Sequence, residues 1–282
     1  MKSTIIRSSY LALITAALAL PTSVMAGDDK DDDKKVKLPW GLEIVDKVQY
    51  GATDEASKIF FTQDLPKLSE LVSTTLYETK AINDATIMLD PSKLVLKNES
   101  DVRVYFVGEG AGYHNILGFS TDGGSPKGKE AAVIFPDASS LVSPLTPQND
   151  MSVKRTSSEP LLPGDFVDLG EFKAGTKLDF FLIADGANGG KNVYSTDSSV
   201  NSDGINHVVS FAAISGSYLL IGFEDMFKGG DRDFNDVIFA VDIGAKNLAA
   251  LTATPEPATY AMLGTFLALG GWAMRRRNAT QA

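Results

Sequence analysis

The chain has 282 residues, a formal net charge of −10 and no cysteine. The negative charge disfavours nucleic acid as a partner, because phosphate groups repel an acidic surface. Without disulfides the fold must be stabilised by a hydrophobic core, with or without metal, and the length is sufficient for one large domain.

The first 26 residues have the organisation of a secretory signal peptide. Lys2 and Arg7 form a charged start, residues 10–20 are apolar, and small residues precede a cleavage position after Ala26. The alternative is an N-terminal membrane anchor, although the apolar run is short for a span of about 20 residues. The pattern therefore predicts an exported protein.

The next two segments differ sharply in composition. Residues 27–37 (GDDKDDDKKVK) are charged and lack apolar periodicity, which predicts a disordered acidic spacer. Residues 38–85 form a predicted helical extension, because apolar residues between positions 59 and 76 recur every three or four positions, with Pro66 near a helix start. This extension is expected either to pack on the main domain or to act as a stalk.

Residues 86–246 predict a mainly β domain. Short runs rich in Val, Ile, Phe and Tyr are separated by Gly, Asp, Asn, Ser and Pro, which favours an antiparallel β-sandwich or jelly roll. A Ser-, Pro- and Thr-rich stretch at residues 139–159 predicts an exposed loop, and residues 247–254 a linker. The predicted strands are 86–89, 93–96, 102–107, 115–119, 131–135, 166–169, 178–184, 207–214, 218–223 and 237–242.

The C-terminus carries a second sorting pattern at residues 255–282. Pro-Glu-Pro at 255–257 precedes an apolar segment at 258–274 and three arginines at 275–277. This order resembles the PEP-CTERM tail of bacterial exported proteins, which implies transient inner-membrane anchoring, processing by an exosortase and a producer of exopolysaccharide. The alternative is a stop-transfer helix oriented by the positive-inside rule. Either reading places residues 27–254 outside the cytoplasm, at the cell surface or in the extracellular matrix.

The stretch at residues 222–242 (GFEDMFKGGDRDFNDVIFAVD) is the densest cluster of carboxylates. Asp231, Asp233 and Asn235 alternate as D-x-D-x-N, a spacing that lets three oxygen-bearing side chains converge on a hard cation. Without a cation, each close pair of carboxylates costs about 1 kcal/mol even at high dielectric. The alternative is an acidic β-turn without metal, since Asp and Asn favour turns.

The same stretch does not match an EF-hand. Asp242 falls at position twelve of such a loop, but position six is Asp236 instead of glycine. The residues that follow predict a strand, whereas an EF-hand requires a helix. The prediction is therefore a cation-binding loop between two strands.

The predicted ligand is Ca²⁺ with weak affinity, about 10⁻⁴ to 10⁻³ M as in extracellular modules. Period-two geometry puts only one of Glu224 and Asp225 on each face. Asp225 is favoured as the ligand, and Glu224 is expected to be either a second ligand or a hydrogen-bond acceptor for backbone amides. Asp185 is either a ligand of a second site or a turn former, and Glu109 is expected to point from a glycine-rich turn at the metal loop. The candidate metal-ligating residues are Glu109, Asp185, Glu224, Asp225, Asp231, Asp233, Asn235 and Asp236.

The sequence does not predict catalysis. His114 and His207 are the only histidines and cannot form a typical zinc site without cysteine, and no Gly-x-Ser-x-Gly motif is present. One alternative is a carbohydrate-binding module with exposed aromatics such as Tyr113 and Tyr194. A second alternative is a glycan hydrolase, since a carboxylate pair such as Glu109 and Glu224 is defined by distance and not by spacing.

Four motifs carry a family resemblance. They are GEGAGYHN at 108–115, LLPGDFVDLGEF at 161–172, FLIADG at 181–186, and GFED at 222–225 continuing to GGDRDFNDV at 229–237. They resemble a bacterial exported family known as domain of unknown function 4114. The resemblance implies a surface or matrix protein that binds calcium and brings no established catalytic activity. The expectation is an exported, calcium-binding, non-enzymatic surface or biofilm-matrix protein, whose partner is exopolysaccharide or another matrix component.

Overall fold

The computed structural model describes residues 38–72, 86–142, 153–213 and 218–253. They form a mainly β unit with a helical segment before the strands and one helix after them. The helical elements are α1 (Glu55–Ile59), a π-helical turn (Phe60–Asp64), α2 (Leu65–Val72) and α3 (Ala245–Thr252). The strands are β1 (Thr86–Leu89), β2 (Ser100–Gly108), β3 (Ile116–Ser120), β4 (Ala131–Phe135), β5 (Phe166–Phe172), β6 (Asp179–Ala184), β7 (Asn192–Ser195), β8 (Val208–Ala213), β9 (Tyr218–Phe223) and β10 (Val237–Asp242).

The strands form two sheets in which neighbouring strands run antiparallel. One sheet has the order β1-β8-β9-β10-β2-β5 and the other the order β4-β3-β6-β7. The inward side chains of both sheets form one hydrophobic core, with Phe106, Phe180 and Phe239 fully buried at its centre. The predicted antiparallel β-sandwich is confirmed.

The N-terminal segment closes one side of the sandwich by pairing with an edge strand of each sheet. The amide of Val45 donates to the carbonyl of Val133 in β4 (2.9 Å), and the amide of Gln49 donates to that of Phe166 in β5 (2.8 Å). Such pairing satisfies backbone groups that an open edge would expose. Before it, Leu42 packs on the outer face of the smaller sheet.

The predicted helical extension is helical over residues 55–72 and packs on the outer face of the larger sheet. Asp54 caps α1 through a capping box with Ser57, and Phe60 stacks on Tyr105 at 3.9 Å. Pro66 lies inside the helical run. Proline has no amide hydrogen and its ring crowds the carbonyl four residues earlier. The preceding π-helical turn, in which the amide of Leu65 donates to the carbonyl of Phe60, accommodates that irregularity.

Two strand predictions differ from the structure. Residues 93–96 form no strand, because Asp90 caps a turn at Pro91–Lys93 and only Val95 makes an isolated bridge with Lys177. Strand β7 is absent from the predictions because it has four residues and no alternation of apolar and polar side chains.

The predicted linker at residues 247–254 is helical up to Thr252, within α3. Leu248 enters the core, and Asn247 Oδ1 accepts hydrogen bonds from the amides of Lys97 and Asn98 (2.8 Å each). The predicted loop at 139–159 has a buried start at Ser139. The predicted signal peptide, the predicted acidic spacer and the predicted C-terminal sorting tail lie outside the described residues. Among the described residues, no helical element combines the length and the apolar composition that a membrane span requires.

Candidate metal centre

The candidate centre is the loop of residues 224–236 that joins β9 to β10. The two strands pair with Val237 opposite Phe223, and the amide of Asp236 donates to the carbonyl of Phe223 (3.1 Å). Two residues before Asp236, Phe234 is 1% exposed and belongs to the apolar cluster beneath α2. The loop therefore starts and ends at fixed positions.

The path of the loop turns its acidic side chains toward one another. The amide of Asp233 donates to Asp231 Oδ1 (3.4 Å), and the amide of Asn235 donates to Asp233 Oδ1 (3.3 Å). These side-chain-to-backbone bonds favour the left-handed backbone that alternates with them. Positive φ angles occur at Lys228 (69°), Gly229 (79°), Gly230 (42°), Arg232 (62°) and Phe234 (52°).

Glu224, Asp231 and Asp233 form a group of three carboxylates, which we call the acidic triad. One oxygen from each lies within 4.8 Å of the others. Glu224 is 2% exposed, and its Oε2 is buried without a hydrogen-bond partner. A Cβ at position 230 would collide with Glu224 Oε1, so glycine there leaves room for the carboxylate. An oxygen-only donor set of this kind suits a hard cation such as Ca²⁺.

Two carboxyl groups of the triad, those of Glu224 and Asp233, are in surroundings that oppose their ionisation. Burial, followed by the charges of Asp236, Asp231 and Asp233, raises the pKa of Glu224 to about 8. Burial also raises the pKa of Asp233. Since each raised pKa reports an unfavourable charged form, a bound cation would offset the same repulsion that raises them.

A second group of acids, Glu109, Asp225 and Asp236, adjoins the triad. The amide of Asp225 donates to Asp236 Oδ2 (2.8 Å), and Asn115 Nδ2 donates to Asp225 Oδ2 (2.8 Å). Burial raises the pKa of Glu109 to about 8 and that of Asp236 to about 7, with Asp225 adding to both. Glu109 therefore faces this inner group, and Asp225, the favoured ligand, is held by Asn115 outside the triad.

The two remaining candidates have structural contacts. Asp185 adopts a positive φ of 51° and its carboxylate accepts from the amide of His114 (3.2 Å) and from Asn188 Nδ2 (2.9 Å), as a turn former does. Asn235 donates its side-chain amide to Asp233, and its carbonyl accepts from the amide of Gly110 (3.1 Å). The glycine-rich turn that contains Glu109 is thereby attached to the metal loop.

A clamp that sequence reasoning did not find holds the start of the loop. His207 is buried, with Nε2 2.9 Å from Asp203 Oδ2 and Nδ1 3.1 Å from the carbonyl of Glu224. Asp203 Oδ2 also accepts from the amide of Lys228 (2.8 Å). The ring of Tyr194 stacks on His207 at 3.8 Å. No periodicity marks these contacts, because they join positions that lie in separate strands and loops.

The aromatic alternative needs a correction. Tyr194 is fully buried, so the prediction of an exposed binding platform is wrong for that residue, while Tyr113 is 43% exposed. The reason is the stacking on His207, which turns the ring inward from β7.

The fold and the centre define an antiparallel β-sandwich with an oxygen-rich candidate cation loop. Residues 172–244, about a quarter of the chain, match a family described as Domain of unknown function (DUF4114). The match includes the motifs at 181–186 and 222–237, but the motif at 108–115 and all of the motif at 161–172 except Phe172 lie outside it. No curated protein matches the chain. No solved structure matches it either.

Proposed function

We propose that the chain is an exported, non-enzymatic protein that binds Ca²⁺ through the acidic triad. The observation that carries the proposal is Glu224 Oε2, a buried carboxylate oxygen without a hydrogen-bond partner beside the oxygens of Asp231 and Asp233. A buried polar atom without a partner is costly, and a buried charge more so. A divalent cation at this position supplies the missing partner.

Partial exposure of the triad supports a reversible site of modest affinity. Asp231 is exposed and Asp233 is half-buried, so an ion can enter from solvent and retain water ligands. Calcium accepts six to eight oxygens, including backbone carbonyls and waters. The ion would fix the loop against the end of β9, which places Glu224 next to the His207 clamp.

The proposed address is the cell surface or extracellular matrix. It rests on the signal-peptide pattern at residues 1–26 and the sorting pattern at 255–282, and the cysteine-free composition is compatible with it. An exosortase-type protease would be a transient partner, and matrix polysaccharide a lasting one. Immunogold labelling of intact cells, with and without residues 255–282, tests this part separately from calcium binding.

The test of calcium binding is thermal unfolding of the full-length protein in calcium, magnesium or chelator. With about 10 mM calcium and the expected affinity, linkage predicts a rise in Tm of about 3–10 °C. The double substitution Asp231→Asn with Asp233→Asn removes two charges of the triad and should abolish most of the rise.

The matched control is Glu43→Gln with Glu171→Gln, which removes the same charge from two exposed positions. This control should keep the full calcium effect. A Tm that does not change in calcium would refute the proposal. An equal rise in Tm in the wild-type protein and the triad variant would show that the ion binds elsewhere.

A further inference from the structure

A cavity lies at the edge of the smaller sheet, and none of the residues that line it belongs to the acidic loop at residues 224–236. Its volume is about 190 Å³. One wall is the start of β7, which is an edge strand, and another is the loop between β3 and β4. The side chains that give the cavity its chemistry are Trp40, Ser125, Lys127, Lys191, Asn192 and Ser202.

Trp40 is presented to solvent by the residues around it. Leu38 and Leu42 pack on the outer face of the smaller sheet, and a turn at Pro39–Gly41 lifts the indole between them. The backbone of Trp40 is left-handed (φ 55°), which is uncommon for a bulky residue. The indole stays 40% exposed. Strained backbone that exposes an aromatic ring is typical of a binding position.

Two lysines add positive charge to an otherwise acidic protein. Lys127 and Lys191 are exposed, and neither forms an ion pair with the carboxylates of the described residues. Lys127 Nζ lies 5.4 Å from the centroid of the Trp40 ring. A ligand that carries an apolar face and an anionic group can therefore contact both side chains at once.

The position of Lys127 is set by an ordered loop. Asp122 Oδ2 accepts from the amide of Lys129 (2.9 Å), and Ser125 Oγ accepts from the amide of Lys127 (3.2 Å). Preorganisation of this kind lowers the entropic cost of binding. Asn192 and Ser202 supply further hydrogen-bond donors and acceptors at the cavity.

We propose that this cavity binds a uronic acid residue of an acidic polysaccharide. The C–H face of the sugar ring stacks on Trp40, its carboxylate lies between Lys127 and Lys191, and its hydroxyl groups bond with Asn192 and Ser202. The site is separate from the calcium loop and does not require calcium. It would let a protein of net negative charge adhere to a negatively charged matrix by one local contact.

The experiment is calorimetric titration of the full-length protein with trisaccharides of galacturonate, glucuronate and mannuronate, in chelator. The chelator excludes binding in which a calcium ion bridges a sugar carboxylate to the acidic triad. At least one trisaccharide should bind saturably, and its methyl ester, which lacks the charge, should bind about tenfold more weakly. Binding should weaken as salt rises, because both lysines are exposed.

Variants identify the site. Trp40→Ala and the pair Lys127→Gln with Lys191→Gln should each reduce affinity about tenfold or more, while Trp40→Phe retains binding. The control pair Lys58→Gln with Lys246→Gln removes two exposed lysines elsewhere and should have no effect. Failure of all three trisaccharides to bind, or equal losses with both lysine pairs, overturns the proposal. The Asp231→Asn with Asp233→Asn variant should still bind the sugar, so the two proposals fail independently.

Discussion

Glu224 combines burial with a charge that its neighbours oppose. Burial and four nearby aspartates raise its pKa to about 8, and its Oε2 has no hydrogen-bond partner. We therefore expect Glu224→Gln to stabilise the protein in chelator at about pH 8, because the substitution removes a buried charge while keeping the shape. The same substitution should abolish most of the rise in Tm that calcium produces.

The measurement is thermal unfolding of wild type and Glu224→Gln in both conditions, with Glu43→Gln as the exposed control. Stabilisation in chelator together with a loss of the calcium effect is the signature of a metal ligand. If Glu224 were purely structural, its substitution would lower stability equally with and without calcium. That result would contradict the assignment.

At this scale the sequence predicted part of the site. The D-x-D-x-N spacing identified Asp231 and Asp233, since local turn chemistry is visible in the order of residues. It did not show that Glu224 instead of Asp225 completes the triad. Alternation places the two on opposite sides of the chain, but the side that faces the loop depends on the positive φ angles from Lys228 to Phe234 and on Asn115, which is 110 positions away from Asp225.

Among the elements, the helical segment at residues 55–72 is a structural part of the sandwich. Phe60 is fully buried between the helix and the larger sheet, where it stacks on Tyr105. We expect Phe60→Ala to lower the free energy of unfolding by about 3–5 kcal/mol, as large cavities in a core do. Ile59→Ala, at the neighbouring position that is 41% exposed, should cost under about 1 kcal/mol. Urea unfolding measures both free energies. A loss for Phe60→Ala as small as that for Ile59→Ala would show that the helix is only loosely attached.

Elements with a regular spacing of apolar residues were predictable, whereas strand β7 and helix α3 were not. The spacing of apolar residues indicated the helical run at residues 55–72 and most strands, because burial of one face imposes a period on the sequence. Strand β7 lacks a period, and its register is set by pairing with β6. Helix α3 was read as a linker because Asn247, which fixes it to the turn at residues 97–98, makes contacts about 150 positions away along the chain.

In the whole molecule, β7 connects the two proposed sites. Asn192 and Val193 line the cavity beside Trp40, while Tyr194 of the same strand stacks on His207, which contacts the carbonyl of Glu224. The acidic loop and the lysine-bearing cavity therefore belong to one framework but have opposite local charge. This separation allows a cation and an acidic sugar to bind without competing for the same side chains.

The net effect of the buried acids is a dependence of calcium-free stability on pH. The pKa values of Glu109 and Glu224 are raised from 4.5 to about 8, and that of Asp236 from 3.8 to about 7. At a pH between the ordinary pKa and the raised pKa of such a group, the unfolded chain has lost a proton that the folded protein still binds. Stability therefore falls as pH rises from about 5 to about 8. Calcium stabilises the ionised carboxylates, so the rise in Tm with calcium should grow over the same interval.

Thermal unfolding in calcium and in chelator, from about pH 5 to about pH 8, measures this difference. His114 also contributes to the fall in stability as pH rises. Its hydrogen bond with Asp137 raises its pKa, and the stabilisation from that bond is lost when the imidazole loses its proton. That contribution is common to both conditions and cancels when the calcium effect is taken at each pH. A calcium effect that stays constant across the interval would contradict the linkage, because an ion bound by Glu224 must compete with the proton of that carboxyl group.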